Sequence, residues 1–247
     1  MSWSKIAGSG GIASGGSTSR TSFGVAGNAV GSGHVVRGTV TWGDATVGHL
    51  TSVTDNQGNS YSIVDKIADT AEPQSIASFW LNAITNAPTT ITAHFSPAVT
   101  FVGIEWSEFS GNDSSTALTG HGGQVQRSPG TAADAVKTGT SFGSSGDLRS
   151  GGMTTDDTGS VVVTSGTGYT TDQNNTPGGS GQVSLASEYL VATGAADATF
   201  KVASNTPCIT VGMSFSPASG GGSSGMKFRR TLSTLGARMG FRQNQAA

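Results

Sequence analysis

TITAHF (residues 90–95) alternates apolar and polar side chains along its length. In an extended strand Ile91, Ala93 and Phe95 share one face, while the threonines and the histidine share the other. CITVGMSF (residues 208–215) alternates in the same way. A period of two residues is that of a half-buried strand, so both stretches predict a β-sheet with one face on a hydrophobic core.

Short stretches of this kind recur along the chain between clusters of glycine, asparagine, aspartate and proline. The other candidate strands cover residues 34–42, 47–54, 61–67, 76–81, 101–109, 161–164, 183–191 and 197–203. Many short strands separated by turn residues are typical of an antiparallel β-sandwich or jelly roll. The sequence therefore predicts an all-β fold of this type.

The composition excludes two other classes of protein. Of the 247 residues, 38 are glycine and only 11 % are charged. Glycine, serine and threonine disfavour helix interiors, which excludes a charge-rich helical enzyme. The net charge is only −2 and the apolar residues are clustered, which is unlike a disordered chain. The length is sufficient for one large sandwich with a sizeable core.

Composition divides the chain into four regions. Residues 1–33 are a Gly/Ser-rich N-terminal segment, and residues 34–217 carry the strand pattern of a β-sandwich domain. Residues 218–225 (ASGGGSSG) have the composition of a flexible linker, and residues 226–247 form a distinct basic tail. The sequence shows no internal repeat with a period of about 20–50 residues.

Charge is distributed unevenly between the body and the tail. Five of the 13 lysines and arginines, and none of the 15 acidic residues, lie in residues 218–247. The tail therefore carries +5 and the rest of the chain −7. Such an asymmetry is typical of a tail that binds a partner.

The tail also has the spacing of an amphipathic helix. Four of its apolar residues follow one another at intervals of four, three and four, which places them on one helical stripe. They are Phe228, Leu232, Leu235 and Met239. Gly236 and Gly240 each weaken an isolated helix by about 1 kcal/mol, so we expect the tail to become helical only on a partner.

A basic amphipathic helix binds a membrane surface, an acidic protein groove or nucleic acid. We expect a groove on a neighbouring subunit or on a particle shell, with nucleic acid less favoured. A tail that folds over its own acidic body is the alternative. The predicted partner-binding residues are Lys227, Phe228, Arg229, Arg230, Leu232, Leu235, Arg238, Met239 and Arg242.

Glu105 and Glu108 are the best candidates for a catalytic pair of carboxylates. A glycosidase holds two carboxyl groups roughly 5–10 Å apart across one bond. Residues three apart in a strand point to opposite faces, so the pair is predicted to be structural. The sequence also contains neither a GxSxG motif nor a P-loop. We expect no catalytic residues and no enzyme activity.

Neither a metal nor a cofactor is predicted. Residues 55–59 (DNQGN) cluster oxygen ligands but lack the spacing of a calcium loop, and they are typical of a hairpin turn. Asp156, Asp157 and Asp172 lie in polar stretches where loop oxygens could bind a cation, and they are interpreted as solvated loop acids in preference to a metal site. The four histidines lack the spacing of a zinc site. They are His34, His49, His94 and His121.

The tryptophans and the single cysteine are assigned mainly to the core. Trp80 and Trp106 lie within apolar runs and are predicted to be buried. Trp42 ends a strand before a glycine, so it is predicted to be the most exposed and the best candidate for stacking on a sugar. Cys208 opens an apolar strand and is predicted to be a buried, inert thiol.

Several motifs together resemble a known module. In chain order they are VTDNQGNSY (53–61), TTITAHFS (89–96), FVGIEWSEFSG (101–111) and GMSFSP (212–217). Their order resembles a β-sandwich module of phage structural proteins and of some bacterial surface proteins, over residues 34–217. Phe109 stands where that module often has tyrosine, and the basic tail is not part of it. The resemblance implies a β-sandwich and brings no catalytic residues.

These features lead to one expected function and one alternative. The expected function is that of a non-enzymatic phage virion protein, displayed as a capsid decoration or a head or tail fibre component and attached through its terminal segments. The alternative is a carbohydrate-binding or adhesin module that contacts a host-surface glycan.

The expected partners are other virion proteins and further copies of the chain, since exposed strand edges are commonly protected by association. No run of 18 apolar residues and no secretory signal is present, so neither a membrane span nor export is expected. The expected location is the virion, assembled in the host cytoplasm.

Overall fold

The structure is a computed structural model that describes residues 2–112, 115–155, 161–175 and 183–218. These residues form seventeen strands and one short 3-10 helix, and every strand pair is antiparallel. The predicted all-β, sandwich-like fold is thereby confirmed. The strands are β1 (Ser4–Lys5), β2 (Gly11–Ser14), β3 (Arg20–Ala26), β4 (Val35–Trp42), β5 (Leu50–Asp55), β6 (Ser62–Asp69), β7 (Gln74–Leu81), β8 (Thr90–Val99), β9 (Gly103–Ser110), β10 (Leu118–Gln126), β11 (Val136–Lys137), β12 (Leu148–Thr155), β13 (Val163–Ser165), β14 (Thr170–Asn175), β15 (Ser184–Val191), β16 (Thr199–Val202) and β17 (Cys208–Phe215), and the helix is Val47–His49.

The strands build two sandwiches with the same strand order. In the first sandwich (β1–β9), one sheet has the order β1-β9-β4-β7-β6, with β2 also on β9, and the other has the order β3-β8-β5. In the second sandwich (β10–β17), the orders are β10-β17-β12-β15-β14 and β11-β16-β13. The first strand pairs with the last in both, as in a jelly roll. Position by position, β3–β9 correspond to β11–β17.

This division differs from the regions marked by composition. The Gly/Ser-rich segment 1–33 supplies β1, β2 and β3, so its boundary falls inside the first sandwich. Glycine and serine are tolerated there because β1 and β2 are short edge segments on β9. Residues 34–217 contain the rest of the first sandwich and the whole of the second.

The duplication is also visible in the sequence once the strands are aligned. SIASFWL (residues 75–81) in β7 corresponds to SLASEYL (residues 184–190) in β15, because Leu81 and Leu190 hold equivalent positions beside β4 and β12. Tyr61 and Tyr169 each precede the next strand, and a register shift follows at the same place in β6 and β14. The repeat is far longer than the 20–50 residues of common short repeats.

The two sandwiches pack through their larger sheets as if related by a two-fold axis. Strand β4 contacts its own counterpart β12. Strand β7 contacts β17, and their counterparts β15 and β9 contact each other in the same way. Thr41 Oγ1 lies 3.3 Å from Thr154 Oγ1, its equivalent in β12. Such self-complementary contact between equivalent surfaces is the geometry of a symmetric homodimer, here within one chain.

Reciprocal aromatic contacts support the same symmetry. The ring centroids of Trp80 and Phe215 are 5.3 Å apart, and those of Phe109 and Tyr189 are 5.2 Å apart. Trp80 is equivalent to Tyr189, and Phe109 to Phe215. The two contacts are therefore equivalent, one on each side of the pseudo-two-fold axis. They stabilise the apolar part of the interface.

Each sandwich also has its own core. The core of the first is the larger and includes Phe79 and Trp106, as predicted for the latter. The prediction that Trp42 is exposed is wrong, because its ring is fully buried 5.9 Å from that of Phe95. Trp80 is only partly buried, between the sandwiches. Cys208 lies in the second core, as predicted, and burial raises the pKa of its thiol to about 12.

Candidate functional site

The loop at residues 55–59 is a turn held by one buried aspartate. Asp55 Oδ1 accepts hydrogen bonds from the backbone N–H groups of Gln57 (2.9 Å) and Asn59 (3.0 Å). Its Oδ2 accepts from Asn59 Nδ2 (2.8 Å) and from Tyr61 Oη (3.1 Å). Gly58 has φ +85°, which favours glycine. The carboxylate is thus used within the hairpin, and the predicted turn is confirmed.

Glu105 and Glu108 lie in separate environments. Glu105 faces the second sandwich and accepts from Arg37 Nη1 (2.8 Å) and Ser187 Oγ (3.1 Å). Glu108 accepts from the backbone N–H of Gly31 (2.7 Å) and pairs with the ring of His34. Both carboxylates are buried and neither shares a partner with the other. The geometry gives this pair no common bond to act on.

A buried ionic network joins the two sandwiches. The Arg37 guanidinium contacts Glu105 on its own sheet and Asp172 on β14, and Lys5 of β1 also pairs with Asp172. Ser107 Oγ donates to Asp172 Oδ1 at 2.8 Å. Burial lowers the pKa of Arg37, while Glu105 acts in the opposite direction. The network fastens β1, β4, β9 and β14 together and serves structure.

The interpretation of Asp172 as a solvated loop acid is therefore wrong. Its side chain is fully buried, because the register shift between Thr171 and Gln173 lies at this residue and the opposite sandwich supplies Arg37. Asp156 and Asp157 lie outside the described residues.

The histidines are dispersed over the body. His49 pairs with Asp44 (2.9 Å), His121 with Asp65 (2.9 Å) and His94 with the hydroxyl of Thr54 (2.8 Å), while His34 contacts Glu108. Within the described residues no group of three or more histidine, cysteine, aspartate or glutamate side chains is placed to hold a metal ion.

A polar cleft of about 440 Å³ opens on the second sandwich. Loops and strand ends bring together side chains that are far apart in sequence. The charged and aromatic residues that line the cleft are Asp134, Lys137, Arg149, Tyr169 and Asp197. Its volume lies in the ordinary range of ~300–1,000 Å³ for small-molecule sites.

Hydrogen bonds to the protein fix one wall of the cleft. Arg149 Nε donates to the carbonyl of Phe142 (3.2 Å), Nη1 donates to Tyr169 Oη (3.2 Å), and Nη2 donates to the carbonyl of Gly194. Tyr169 Oη donates to the carbonyl of Asp197 at 2.8 Å. The guanidinium is thereby held rigid, with its donors directed to the loops around the opening.

The acids near the cleft have different electrostatic environments. Hydrogen bonds from Thr167 lower the pKa of Asp134, which is ionised at neutral pH. Burial raises the pKa of Tyr169 to about 12. Burial likewise raises the pKa of Glu188 to about 8, although the backbone N–H groups of Gly166 (2.9 Å) and Thr199 (3.0 Å) donate to it.

Sequence reasoning did not identify any of these cleft residues as a group. The internal duplication gives a signal for one of them, Arg149, because two buried apolar positions of the first sandwich carry ionisable side chains in the second. Val36 of β4 and Arg149 of β12 hold the same strand position, and so do Phe79 of β7 and Glu188 of β15, because each pairs with the equivalent residue of the neighbouring strand.

The predicted partner-binding tail lies outside the described residues. This applies to Lys227, Phe228, Arg229, Arg230, Leu232, Leu235, Arg238, Met239 and Arg242. Their proposed role therefore rests on the charge and spacing of the sequence. In the part of the chain that the structure describes, no helix is long and apolar enough to cross a membrane.

Comparison with known protein families finds no matching family, and comparison with curated proteins finds no match. The resemblance to the phage β-sandwich module thus rests on the motifs of the sequence alone.

Proposed function

We propose that this protein is a non-enzymatic structural component of a phage particle, displayed on its surface as a capsid decoration or a head or tail fibre component. The observation that carries the proposal is a compact acidic β-body followed by a basic tail. Opposite charges in two parts of one chain favour a body that stays soluble and a tail that binds elsewhere.

The body suits display because its two sandwiches are fastened to each other. The buried network around Arg37 and the aromatic pairs around Phe109 and Phe215 connect them through the middle of both large sheets. A rigid double sandwich presents its surface at a fixed geometry on whatever the tail binds. Many copies on one particle then gain avidity through effective concentration.

Edge strands give a reason for further association. Strands β6 and β14 end the large sheets, and their outer backbone groups have no partner strand within the described residues. Exposed edges of this kind favour pairing with other subunits. We propose homo-oligomers or contacts with other virion proteins along these edges.

The alternative function is contact with a host-surface glycan. The sequence supported this alternative with an exposed Trp42, but the ring of Trp42 is buried and cannot stack on a sugar. The polar cleft of the second sandwich gives the alternative a different and better defined location.

The test is to purify particles from the source culture on a density gradient and to search the particle band for this chain by mass spectrometry. We expect the chain in the band, and we expect a high-salt wash to release it, because salt screens the charges of the tail. Absence of the chain from the particles would overturn the proposal, and retention after the wash would overturn electrostatic attachment by the tail.

A further inference from the structure

We propose that the cleft of the second sandwich binds an uncharged saccharide. The cleft is lined by Asp134, Lys137, Arg149, Tyr169 and Asp197, with Leu190 as an apolar wall. This inference deepens the alternative function above and does not depend on whether the protein belongs to a phage particle.

The first argument is that the fold does not need these ionisable side chains. At the equivalent buried positions the first sandwich has Val36 and Phe79, which pack in its core. The second sandwich has Arg149 and Glu188 instead, both buried. Burying charged groups costs free energy unless they are fully hydrogen-bonded. The same strand order is stable without them, and Arg149 lines the cleft, so the presence of this arginine there points to a ligand.

The second argument is that the cleft keeps hydrogen-bonding capacity for a ligand. Asp134 Oδ1 accepts from Thr199 Oγ1 (2.8 Å), and Asp197 Oδ1 accepts from Ser141 Oγ (2.9 Å). Among the described residues the second carboxylate oxygen of Asp197 has no hydrogen-bond donor, whereas Asp134 also accepts from the backbone N–H (2.6 Å) and the side chain of Thr167. The exposed Lys137 ammonium has no acceptor among the described residues either. The cleft therefore offers a strong acceptor, Asp197, and a strong donor, Lys137, on one surface.

The third argument concerns charge and surface character. The two aspartates are balanced by Lys137 and Arg149, so the lining has no net formal charge from these groups. Such a lining favours a ligand that is itself uncharged and that both donates and accepts hydrogen bonds. A saccharide has hydroxyl groups of this kind and apolar C–H faces, which suit Leu190.

The experiment is ligand-observed saturation-transfer NMR on the full chain. The probes are four neutral disaccharides, maltose, cellobiose, lactose and N,N′-diacetylchitobiose, each at millimolar concentration. We expect transfer to at least one of them. Transfer to none of the four would overturn the proposal.

Four variants locate the binding. We expect Lys137→Ala and Asp197→Asn each to weaken binding about tenfold or more, as for the loss of a hydrogen bond to a charged group. Lys201→Ala is the matched control, since Lys201 is an exposed lysine on the same small sheet outside the cleft lining. Thr193→Trp blocks the cleft at an exposed residue of its lining and leaves the wall hydrogen bonds in place.

Thermal unfolding of every variant shows whether it is folded. Loss of binding in the folded Thr193→Trp variant, with binding kept in Lys201→Ala, supports the cleft. Saccharide binding that persists in the folded Thr193→Trp variant would overturn the location. Presence or absence of the chain in particles has no bearing on either result.

Discussion

The first sandwich closes its core with Val36 and Phe79, whereas the second has Arg149 and Glu188 at the same strand positions. Strand order, the bulge after the first residues of β6 and β14, and the reciprocal aromatic contacts are shared. The difference shows that the strand order specifies the scaffold, while single buried positions can carry either apolar or ionisable side chains, one of which, Arg149, lines the polar cleft.

The interface between the sandwiches shows a second difference of the same kind. On one side of the pseudo-two-fold axis Arg37 and Glu105 form part of the ionic network. On the other side their equivalents are Ser150 and Val211, and Val211 packs with Ile76 and Ile209. At these two strand positions the symmetric interface has thus diverged, with a buried ion pair on one side and a serine and a valine on the other.

The largest expected effect on stability comes from replacing Phe79 of the first sandwich with glutamate, the residue at the equivalent position of the second. Phe79→Glu removes a ring that packs edge-on against Tyr61 at 5.6 Å, and it places a carboxyl group in an apolar core. We expect the free energy of unfolding to fall by about 5 kcal/mol or more, measured by chemical denaturation. Phe79→Leu is the control and should cost about 1 kcal/mol. A Phe79→Glu protein as stable as this control would contradict the account of the core.

The second effect comes from breaking the ionic half of the interface. Arg37→Ser copies the residue of the second sandwich and leaves Glu105 without its charged partner, which should cost about 3–5 kcal/mol. Adding Glu105→Val, which copies Val211, removes the unpaired charge and should restore part of that loss. Denaturation midpoints of both variants measure this. A double variant less stable than the single one would show that the two halves of the interface are not interchangeable.

The third effect is a pH dependence that belongs to Glu188. Its pKa is about 8 in the folded protein and 4.5 in the reference state, so the folded form binds the extra proton between these values. Stability from this group is therefore complete below about pH 4.5 and is lost as the pH rises towards 8, with a slope of ~1.4 kcal/mol per pH unit. Asp134 reinforces the raised pKa, and Arg37 opposes it.

Glu188→Gln should remove that slope. The difference in unfolding free energy between wild type and variant, measured from pH 5 to pH 8, should shift steadily in favour of the variant. A difference that stays constant over this range would show that Glu188 keeps an ordinary pKa.

The smallest effect concerns a hairpin that is longer in the first sandwich than in the second. Gly58→Ala puts a side chain at φ +85° and should cost about 1 kcal/mol. Gly48→Ala, at a site with open space around the glycine, is the matched control and should be nearly neutral. Equal melting temperatures for the two variants would contradict the strain assigned to Gly58.

Alternation in the sequence was sufficient to predict much of the fold. Residues 208–215 are a strand with the predicted limits, and the strand predicted at residues 90–95 continues to Val99. Strands β10 and β12 were missed because their glycines resemble turns. Those glycines reflect close packing, since a Cβ at Gly152 would lie 2.4 Å from Thr39 and one at Gly123 would lie 2.3 Å from a backbone oxygen.

Local sequence patterns could not predict the candidate site. Arg149, Tyr169 and Asp197 come from separate strands and loops, and only the tertiary fold brings them to one cleft. Asp172 was misassigned for a related reason, because its partner Arg37 belongs to the other sandwich. Comparing the two halves of the chain position by position would have revealed the charged replacements.

The central claim is that the two sandwiches are fused into one rigid body through a symmetric interface. Differential scanning calorimetry of the full chain tests it most directly. A fused body should unfold in one cooperative transition whose calorimetric and van't Hoff enthalpies agree. Two resolved transitions in the wild-type protein would contradict the claim, because they would show that each sandwich unfolds without the other.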